Sequence, residues 1–169
     1  EVNFVSRLNW GAQPPTGPPK PLAVLPSPYV IISHTASQPC LTPTQCSQAC
    51  REIQTYHIES KSWNDIAYNF LVGGDGNVYV GRGWDVEGAH TYGFNSKSIG
   101  ITFIGTFSNA LPTEQQLQAA QSLLEFGVEN GKLTAEYKLL AHRQVSATIS
   151  PGEVLYRIIQ TWPHWSAKP

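Results

Sequence analysis

Short runs of β-branched and aromatic residues alternate along this chain with amphipathic helical segments, and this alternation limits the fold more than any other feature. Five runs predict strands: Tyr29 to His34, Tyr68 to Val72, Val78 to Val80, Ile99 to Ile104 and Tyr137 to Ala141. Most of them are continuously apolar, which is typical of strands covered on both faces. We therefore expect an α/β fold: a central mixed, mainly parallel β-sheet of about five strands flanked by three α-helices.

Three helical segments each begin at a Ser or Thr that is followed three residues later by Gln or Glu, the pattern of a capping box. They are Thr42 with Gln45, Thr113 with Gln116, and Ser150 with Glu153. Two of them also have a proline at the first helical position, Pro43 and Pro151. Apolar residues then recur every three or four positions, so each helix is expected to bury one face. The glycine-rich residues 73–76, between two predicted strands, predict a hairpin turn.

Prolines mark the N-terminal segment. Residues 11–28 hold seven of the thirteen prolines, which excludes a helix there and predicts an extended arm across the surface. We therefore divide the chain into an N-terminal arm, residues 1–28, anchored by Trp10, and a domain of residues 29–169 on which the arm packs. With 169 residues, of which 41% are hydrophobic, the chain can form one substantial core but not two.

The charge pattern excludes two classes of partner. The formal net charge is -1 and no run of like charges occurs, so neither a nucleic-acid footprint nor a polybasic membrane patch is supported. The sequence contains no stretch of about 18 apolar residues, so we expect no insertion into a membrane. Because the sequence begins with Glu1 rather than Met, we expect a processed mature protein or an excised ectodomain.

Three cysteines, Cys40, Cys46 and Cys50, lie within eleven residues. A cluster this tight can be a disulfide or part of a metal site. Neither His34 nor His57 makes a familiar zinc spacing with it, which favours one disulfide and an extracytosolic compartment.

Two histidines and a serine mark the candidate site. His34 ends the first predicted strand, His142 follows the last one, and Ser150 lies eight residues further on. Ligands bind at the carboxyl ends of strands in open α/β sheets, and two imidazoles with a third ligand can form a catalytic zinc site. A hydroxyl, however, is a poor substitute for a thiolate or carboxylate. The alternatives are two structural histidines and a serine that only begins the third helix.

Several segments together resemble a peptidoglycan recognition protein (PGRP) domain. They are Tyr29 to Thr35, His57 to Val72, Gly81 to Asn95, Ile99 to Gly105, and His142 through Ser150 to His164. This family is similar to the type 2 N-acetylmuramoyl-L-alanine amidases, which cut the bond between N-acetylmuramic acid and L-alanine. The resemblance covers the chain from Val2 to Trp165.

The resemblance implies a degenerate amidase site. Catalytic family members hold zinc with two histidines and a cysteine, while a tyrosine and a threonine assist the metal-bound water and the developing oxyanion. The histidines correspond to His34 and His142, the tyrosine to Tyr68, the threonine to Thr148, and the cysteine to Ser150. Loss of the anionic ligand implies no zinc, no other cofactor and no amidase activity. Two alternatives stay open: an amidase with residual activity, and an interaction module that pairs with a homologous receptor domain.

The resemblance also implies an innate immune pattern-recognition protein that binds bacterial peptidoglycan fragments, or muropeptides, without hydrolysing them. The ligand-binding positions are His34, Thr35, His57, Lys61, Ser62, Trp63, Tyr68, Arg82, His90, Asn95, His142 and Ser150. Together they offer polar groups for amides and hydroxyls, and aromatic faces for apolar surface.

Arg82 bears on ligand choice. The third residue of the peptide stem is lysine or meso-diaminopimelate, and the latter has an additional carboxylate that a guanidinium can bind bidentately. In the family, an arginine here accompanies the diaminopimelate type, together with Gly-Trp at the positions of Ser62 and Trp63. Ser62 replaces the glycine, but the other two residues are present, so we expect the diaminopimelate type. Taken alone, Arg82 is also compatible with a solvated loop arginine, and Trp63 with core packing.

Finally, the resemblance pairs Cys40 with Cys46 in a disulfide and leaves Cys50 as a buried thiol or a link between chains. It implies an extracellular protein, either secreted or the ectodomain of a membrane receptor. The implied partners are muropeptides and a second PGRP domain in a homo- or heterodimer.

Overall fold

The computed structural model describes residues 1–169 and contains six strands and five helices. The strands are β1 (Phe4–Val5), β2 (Ser27–His34), β3 (Phe70–Val72), β4 (Val78–Val80), β5 (Ser98–Phe103) and β6 (Leu133–Ala141). The helices are α1 (Arg7–Trp10), α2 (Pro43–Glu59), α3 (Glu114–Glu129), α4 (His142–Val145) and α5 (Glu153–Ile159).

All six strands form one mixed sheet with the order β1-β4-β3-β5-β2-β6. β2 pairs in parallel with β5 and β6, and β3 pairs in parallel with β5. The one antiparallel pair is β3 with β4, joined by the turn at residues 73–76 that the sequence predicts. The mixed, mainly parallel sheet is therefore confirmed. It has six strands rather than five, because β1 has only two residues and leaves no periodic pattern in the sequence.

The N-terminal segment is less extended than expected. β1 pairs in parallel with β4 at the edge of the sheet, and the one-turn helix α1 follows it. Trp10 at the end of α1 is fully buried, and its indole N–H donates to the Val80 carbonyl at 2.8 Å, which anchors the arm as expected. Residues 11–26 contain no helix, as the prolines predict. The boundary at residue 28 stays a prediction.

Two of the three predicted helix starts are confirmed. The Thr42 hydroxyl accepts a hydrogen bond from the Gln45 N–H at 3.2 Å, and the Thr113 hydroxyl accepts one from the Gln116 N–H at 3.1 Å. Each satisfies a first-turn N–H group that has no partner within the helix. The Gln116 amide does not close a capping box. It donates to the Val72 carbonyl at 2.9 Å instead, which ties α3 to the sheet.

The predicted start of the third helix at Ser150 is wrong. α5 begins at Glu153 after Gly152, and no side chain caps it. The Ser150 hydroxyl instead accepts a hydrogen bond from the His34 N–H at 3.1 Å. A local pattern cannot reveal this bond, because its two residues lie 116 positions apart.

The two faces of the sheet are covered differently. Helices α3 and α5 cover one face and pack on alternate residues of the central strands, among them Val30, Ile32, Ile99, Ile101, Phe103, Leu139 and Ala141. On the opposite face, α2 covers β3 and β4 through a smaller core that includes Cys46, Cys50, Leu71 and Tyr79. The helix faces predicted from the apolar spacing are thus buried in two separate cores, except that Tyr56, expected on the buried face of α2, is 53% exposed.

Cys40 and Cys46 form a disulfide, as the resemblance implies, and it connects the loop after β2 to the first turn of α2. Cys50 is a buried free thiol, which argues against a link between chains. Burial raises the pKa of Cys50, so the thiol stays protonated at neutral pH. No helix in the structure combines the length and the hydropathy needed to cross a bilayer.

Candidate functional site

The candidate site extends over the face of the sheet opposite α3. In β5, Ile99, Ile101 and Phe103 face the core under α3. The residues between them, which face the opposite side, are small or polar: Ser98, Gly100 and Thr102. The His90 ring packs directly on Gly100, so that any side chain at position 100 would collide with it. The site therefore covers part of the sheet face as well as the strand ends expected from the sequence.

His34, His142 and Ser150 come together where β2 and β6 end. These strands are parallel neighbours, so the residues that follow them lie at the same edge of the sheet. Nδ1 of His34 accepts a hydrogen bond from the Phe107 N–H at 3.1 Å, and the Ser150 hydroxyl accepts the His34 N–H. Nδ1 of His142 is buried without a hydrogen-bond partner. The trio expected from the sequence is therefore assembled.

The donor atoms of this trio do not fit a zinc site. Nδ1 of His34 already accepts a backbone N–H, and Ser150 offers a neutral hydroxyl that is itself engaged with the backbone. No group of three histidine, cysteine, aspartate or glutamate side chains in the chain is arranged to hold a metal ion. A neutral oxygen adds little affinity for Zn²⁺ compared with a thiolate or carboxylate.

The remaining two residues of the expected amidase site differ in their surroundings. Tyr68 precedes β3 and is half-buried, and burial raises the pKa of its phenol, which stays neutral. Thr148 is exposed, and its hydroxyl accepts the Ser150 N–H at 3.1 Å. Thr148 therefore shapes the loop that presents Ser150.

An aromatic cluster forms one wall of the site. The buried His57 ring lies 5.0 Å from the Trp63 ring and 5.6 Å from the Tyr68 ring, measured between centroids. Nδ1 of His57 accepts the Ala67 N–H at 3.0 Å, which fixes the ring and places its proton on Nε2. Trp63 and Tyr68 are only half-buried, so part of each ring is open to a ligand rather than packed in the core.

Lys61 and Ser62 are exposed just beyond the C-terminal end of α2. The Lys61 ammonium lies 5.7 Å from the centre of the Tyr56 ring, within cation–π range. Ser62 has a φ of 60°, in the left-handed region that glycine adopts without strain. Serine at this position therefore costs about 1 kcal/mol that a glycine would avoid.

Arg82 is held in place by the backbone. Its guanidinium donates to the carbonyls of Ile66 at 2.7 Å, Glu87 at 2.9 Å and, more weakly, Asp65 at 3.4 Å. Burial lowers the pKa of Arg82, although a guanidinium stays charged in proteins. These bonds use the Nε–H and one N–H of each terminal nitrogen, which leaves one N–H on each terminal nitrogen unused. Arg82 is thus not a solvated loop arginine.

The loop between β4 and β5 is closed by Asn95. Its Oδ1 accepts the N–H groups of His90 at 2.9 Å and Thr91 at 2.8 Å. Nδ1 of His90 lies 2.9 Å from the Thr91 hydroxyl, whereas Nε2 is buried without a partner. A buried polar atom that the protein leaves unpaired needs another partner, such as a bound water molecule.

Thr35 completes the set, directly after β2. Its hydroxyl shares a hydrogen bond of 2.6 Å with the Ser37 hydroxyl and accepts the Gly105 N–H at 2.9 Å. It is half-buried beside His34, so it fixes the loop that follows the strand.

Burial keeps the four histidines of the site neutral at pH 7. It lowers the pKa of His57 to about 4, helped by the positive charge of Arg82, and that of His90 to about 3, helped by His142 and Arg82. Burial also lowers the pKa of His34 and of His142, and His142 adds to the effect on His34. The acceptor nitrogens of His34 and His57 are already used by backbone N–H groups, so these neutral rings can offer a ligand only the N–H on Nε2.

The sequence analysis missed a buried polar network beneath the aromatic wall. The Asp65 carboxylate accepts hydrogen bonds from Arg7 at 3.1 Å, the Gln54 amide at 2.9 Å and the Ile66 N–H at 2.8 Å. Arg7 also donates to the Gly81 carbonyl at 2.6 Å. The network ties α1 and α2 to the loop before β3. No local spacing signals it, because Arg7 and Asp65 lie 58 residues apart.

Comparisons with known proteins agree with this geometry. Residues 24–153 match the family model of N-acetylmuramoyl-L-alanine amidase. Peptidoglycan-recognition protein SA of Drosophila melanogaster is 46% identical over 163 residues, which cover 96% of this chain and 79% of that protein. The chain belongs to the PGRP family. A second PGRP, protein LE of Drosophila melanogaster, is 50% identical over 162 residues, but this chain spans only 47% of its length.

Solved PGRP structures share the whole fold. One is the complex of tracheal cytotoxin with the ectodomains of PGRP-LCa and PGRP-LCx, with a TM-score of 0.97 and 50% identity over 99% of this chain and 100% of that chain. Another is PGRP-LE in complex with tracheal cytotoxin, a monomeric diaminopimelic acid-type peptidoglycan, with a TM-score of 0.95 and 49% identity over 97% of this chain and 96% of that chain. The family and fold that the sequence resembles are therefore confirmed.

Proposed function

We propose that this PGRP domain binds bacterial muropeptides as an innate immune receptor. Two relatives that share 49% and 50% identity with it were solved with tracheal cytotoxin bound. The site described above has the chemistry such a ligand needs. The half-buried Trp63 and Tyr68 faces suit its apolar parts, and the exposed Lys61 and Ser62 side chains suit its polar groups.

The observation that carries the choice of ligand is the fixed guanidinium of Arg82. Two backbone bonds of 2.7 and 2.9 Å set its orientation before any ligand binds. The two N–H groups that remain are the number that a bidentate carboxylate accepts. Because a fixed donor loses little side-chain entropy on binding, it favours the diaminopimelate carboxylate, whereas its charge repels the ammonium of a lysine stem.

The proposal also holds that the domain does not hydrolyse its ligand. Catalysis on the related amidases needs a metal-bound water, and this site supplies two imidazoles and a neutral hydroxyl already engaged with the His34 N–H. Zinc binding at ordinary concentrations is therefore not expected, and no other cofactor is needed for recognition.

Location and assembly follow from the same family. The Cys40–Cys46 disulfide favours an oxidising, extracellular environment, either as a secreted protein or as a receptor ectodomain. The LCa and LCx ectodomains were solved as a complex, so pairing with a second PGRP domain in a homo- or heterodimer is part of the proposal.

Calorimetric titration of defined diaminopimelate and lysine muropeptides, with and without zinc, tests the function. We expect saturable binding that prefers the diaminopimelate ligand, is unchanged by zinc, and returns the ligand intact in chromatography. Stoichiometric zinc binding with release of the peptide stem would make the domain an amidase. Absence of any muropeptide binding, with tight binding to a homologous domain, would make it an interaction module.

A further inference from the structure

A separate cavity lies on the α3 side of the molecule. It has a volume of about 520 Å³ and is bounded by the C-terminal half of α3, by β6 and by residues 162–164. This volume falls within the range of about 300–1,000 Å³ that is typical of small-ligand pockets. None of the residues assigned to the muropeptide site lines it.

The floor of this cavity is apolar. Leu124 and Val128 of α3 face Tyr137 and Trp162, which are only 6% and 8% exposed. The Tyr137 ring stacks on His164 with a centroid separation of 3.9 Å and an interplanar angle of 6°. Nδ1–H of His164 also donates to the Tyr137 carbonyl at 2.8 Å, which locks the stack. A ligand that enters the cavity would therefore pack against a preformed aromatic wall.

One polar group in this wall lacks a partner. The Tyr137 hydroxyl makes no hydrogen bond within the chain, although the residue is more than nine-tenths buried and lines the cavity. Burial and the nearby charge of Glu125 raise the pKa of Tyr137 to about 12, so the hydroxyl stays a neutral donor and acceptor. The hydroxyl oxygen is open to the cavity rather than sealed in the core, so it is available to a ligand.

The rim of the cavity carries uncompensated negative charge. Glu125 and Glu129 lie one turn apart at the end of α3, and neither takes part in an ion pair. No lysine or arginine lines the cavity. Carboxylates four residues apart repel each other, and the C-terminal end of a helix disfavours negative charge. Both side chains are exposed to solvent, so the repulsion weakens α3 only slightly, and a cation placed between them would remove it.

We propose that this cavity binds an arginine or lysine side chain of a partner protein. The aliphatic stem would lie against Leu124 and Val128, and the cationic group would lie between Glu125 and Glu129 with the Tyr137 hydroxyl in reach. Charge complementarity selects this occupant, because the apolar floor fits a methylene stem and only a cation relieves the carboxylates. Since the cavity lies on the face opposite the muropeptide site, both can be occupied at once.

The test uses the whole chain and Nα-acetyl-L-arginine amide as the probe, with the uncharged citrulline analogue as its matched control. Binding is followed through the indole N–H resonance of Trp162. A probe of this size should bind with a Kd on the order of 1 mM, and the citrulline analogue about fivefold more weakly. The double variant Glu125→Gln, Glu129→Gln should weaken the arginine probe about fivefold, whereas the exposed pair Glu59→Gln, Glu136→Gln should change its Kd less than about twofold.

Several outcomes would overturn the proposal. They are equal binding of the two probes, resonance shifts at Trp63 and Tyr68 instead of the cavity, and a lower melting temperature of the Glu125, Glu129 variant, which would make the carboxylates structural. Repeating the titration with saturating muropeptide should leave the Kd of the arginine probe unchanged, and a changed Kd would count against a separate site. The result does not depend on whether muropeptide binding itself is found.

Discussion

Replacing Arg82 by alanine should have two effects that can be measured separately. The first is structural, because the carbonyls of Ile66 and Glu87 would lose donors at 2.7 and 2.9 Å. Both lie in a half-buried region where water can partly replace the donor, so we take about 1 kcal/mol for each bond. The free energy of unfolding should therefore fall by about 2 kcal/mol in urea denaturation.

The second effect is on ligand preference. A bidentate bond between a fixed, half-buried guanidinium and a carboxylate contributes about 1.5–3 kcal/mol, which corresponds to about 10–100-fold in Kd. Only the diaminopimelate muropeptide loses this bond in Arg82→Ala. The lysine muropeptide loses a repulsion instead. The Kd of the lysine muropeptide divided by that of the diaminopimelate muropeptide should therefore fall by about 10–100-fold.

The assay is calorimetric titration of two muropeptides that differ only in the additional carboxylate of the third residue. Taking the ratio of the two Kd values cancels the loosening of the loop, which affects both ligands alike. Arg51→Ala is the matched control, because Arg51 also donates to a backbone carbonyl, that of Trp10 at 2.9 Å, but lies outside the site. An equal loss of affinity for both muropeptides in Arg82→Ala would refute the reasoning and make Arg82 purely structural.

Three further predictions concern the strain, the histidines and the metal site. Ser62→Gly should raise the free energy of unfolding by about 0.5–1 kcal/mol, because the φ of Ser62 is 60°. The same change at Ser60, which has a φ of -94°, should lower the free energy of unfolding. Urea denaturation of both variants tests this prediction. The pKa of His57 is lowered to about 4 in the fold and returns to about 6.5 on unfolding, so its contribution is complete above pH 6.5 and is lost as pH falls towards 4. His57 should therefore account for about 2 kcal/mol of the free energy of unfolding lost between pH 7 and pH 5, in addition to the losses from His34, His90 and His142. His57→Gln should remove that part of the loss, and an unchanged pH profile in that variant would contradict the assignment. Ser150→Cys should raise the affinity for zinc by at least about 100-fold over the unmodified chain, as measured by chelator competition. Ser150→Ala is the control. Equal zinc binding by the two variants would show that position 150 is not a ligand position.

The elements that the sequence predicts well are those defined by neighbours in the chain. The β2 run and the caps at Thr42 and Thr113 are of this kind, and the structure confirms them. β1, α1 and α4 have two to four residues each, too few for a periodic pattern to stand out. Their formation depends on partners elsewhere, as when β1 pairs with β4.

The candidate site divides in the same way. Position and spacing identify His34, His142 and Ser150, and the family resemblance supplies the other residues. The structure brings these three together at the ends of β2 and β6. The roles of Ser150 and Arg82 were not accessible from spacing. The pattern at Ser150 predicts a helix cap, but its hydroxyl accepts a hydrogen bond from the His34 N–H instead. Arg82 is held by carbonyls of two different loops.

The sequence by itself determined the fold class, the family and the absence of a thiolate or carboxylate at position 150, because apolar periodicity and residue identity are properties of the chain alone. Only the tertiary structure decided which polar atoms stay unpaired, which histidines stay neutral, and where Asp65 and Arg82 find their partners. The physical reason is that desolvation and hydrogen bonding depend on atoms brought close in space from distant parts of the chain, and no local pattern records those distances.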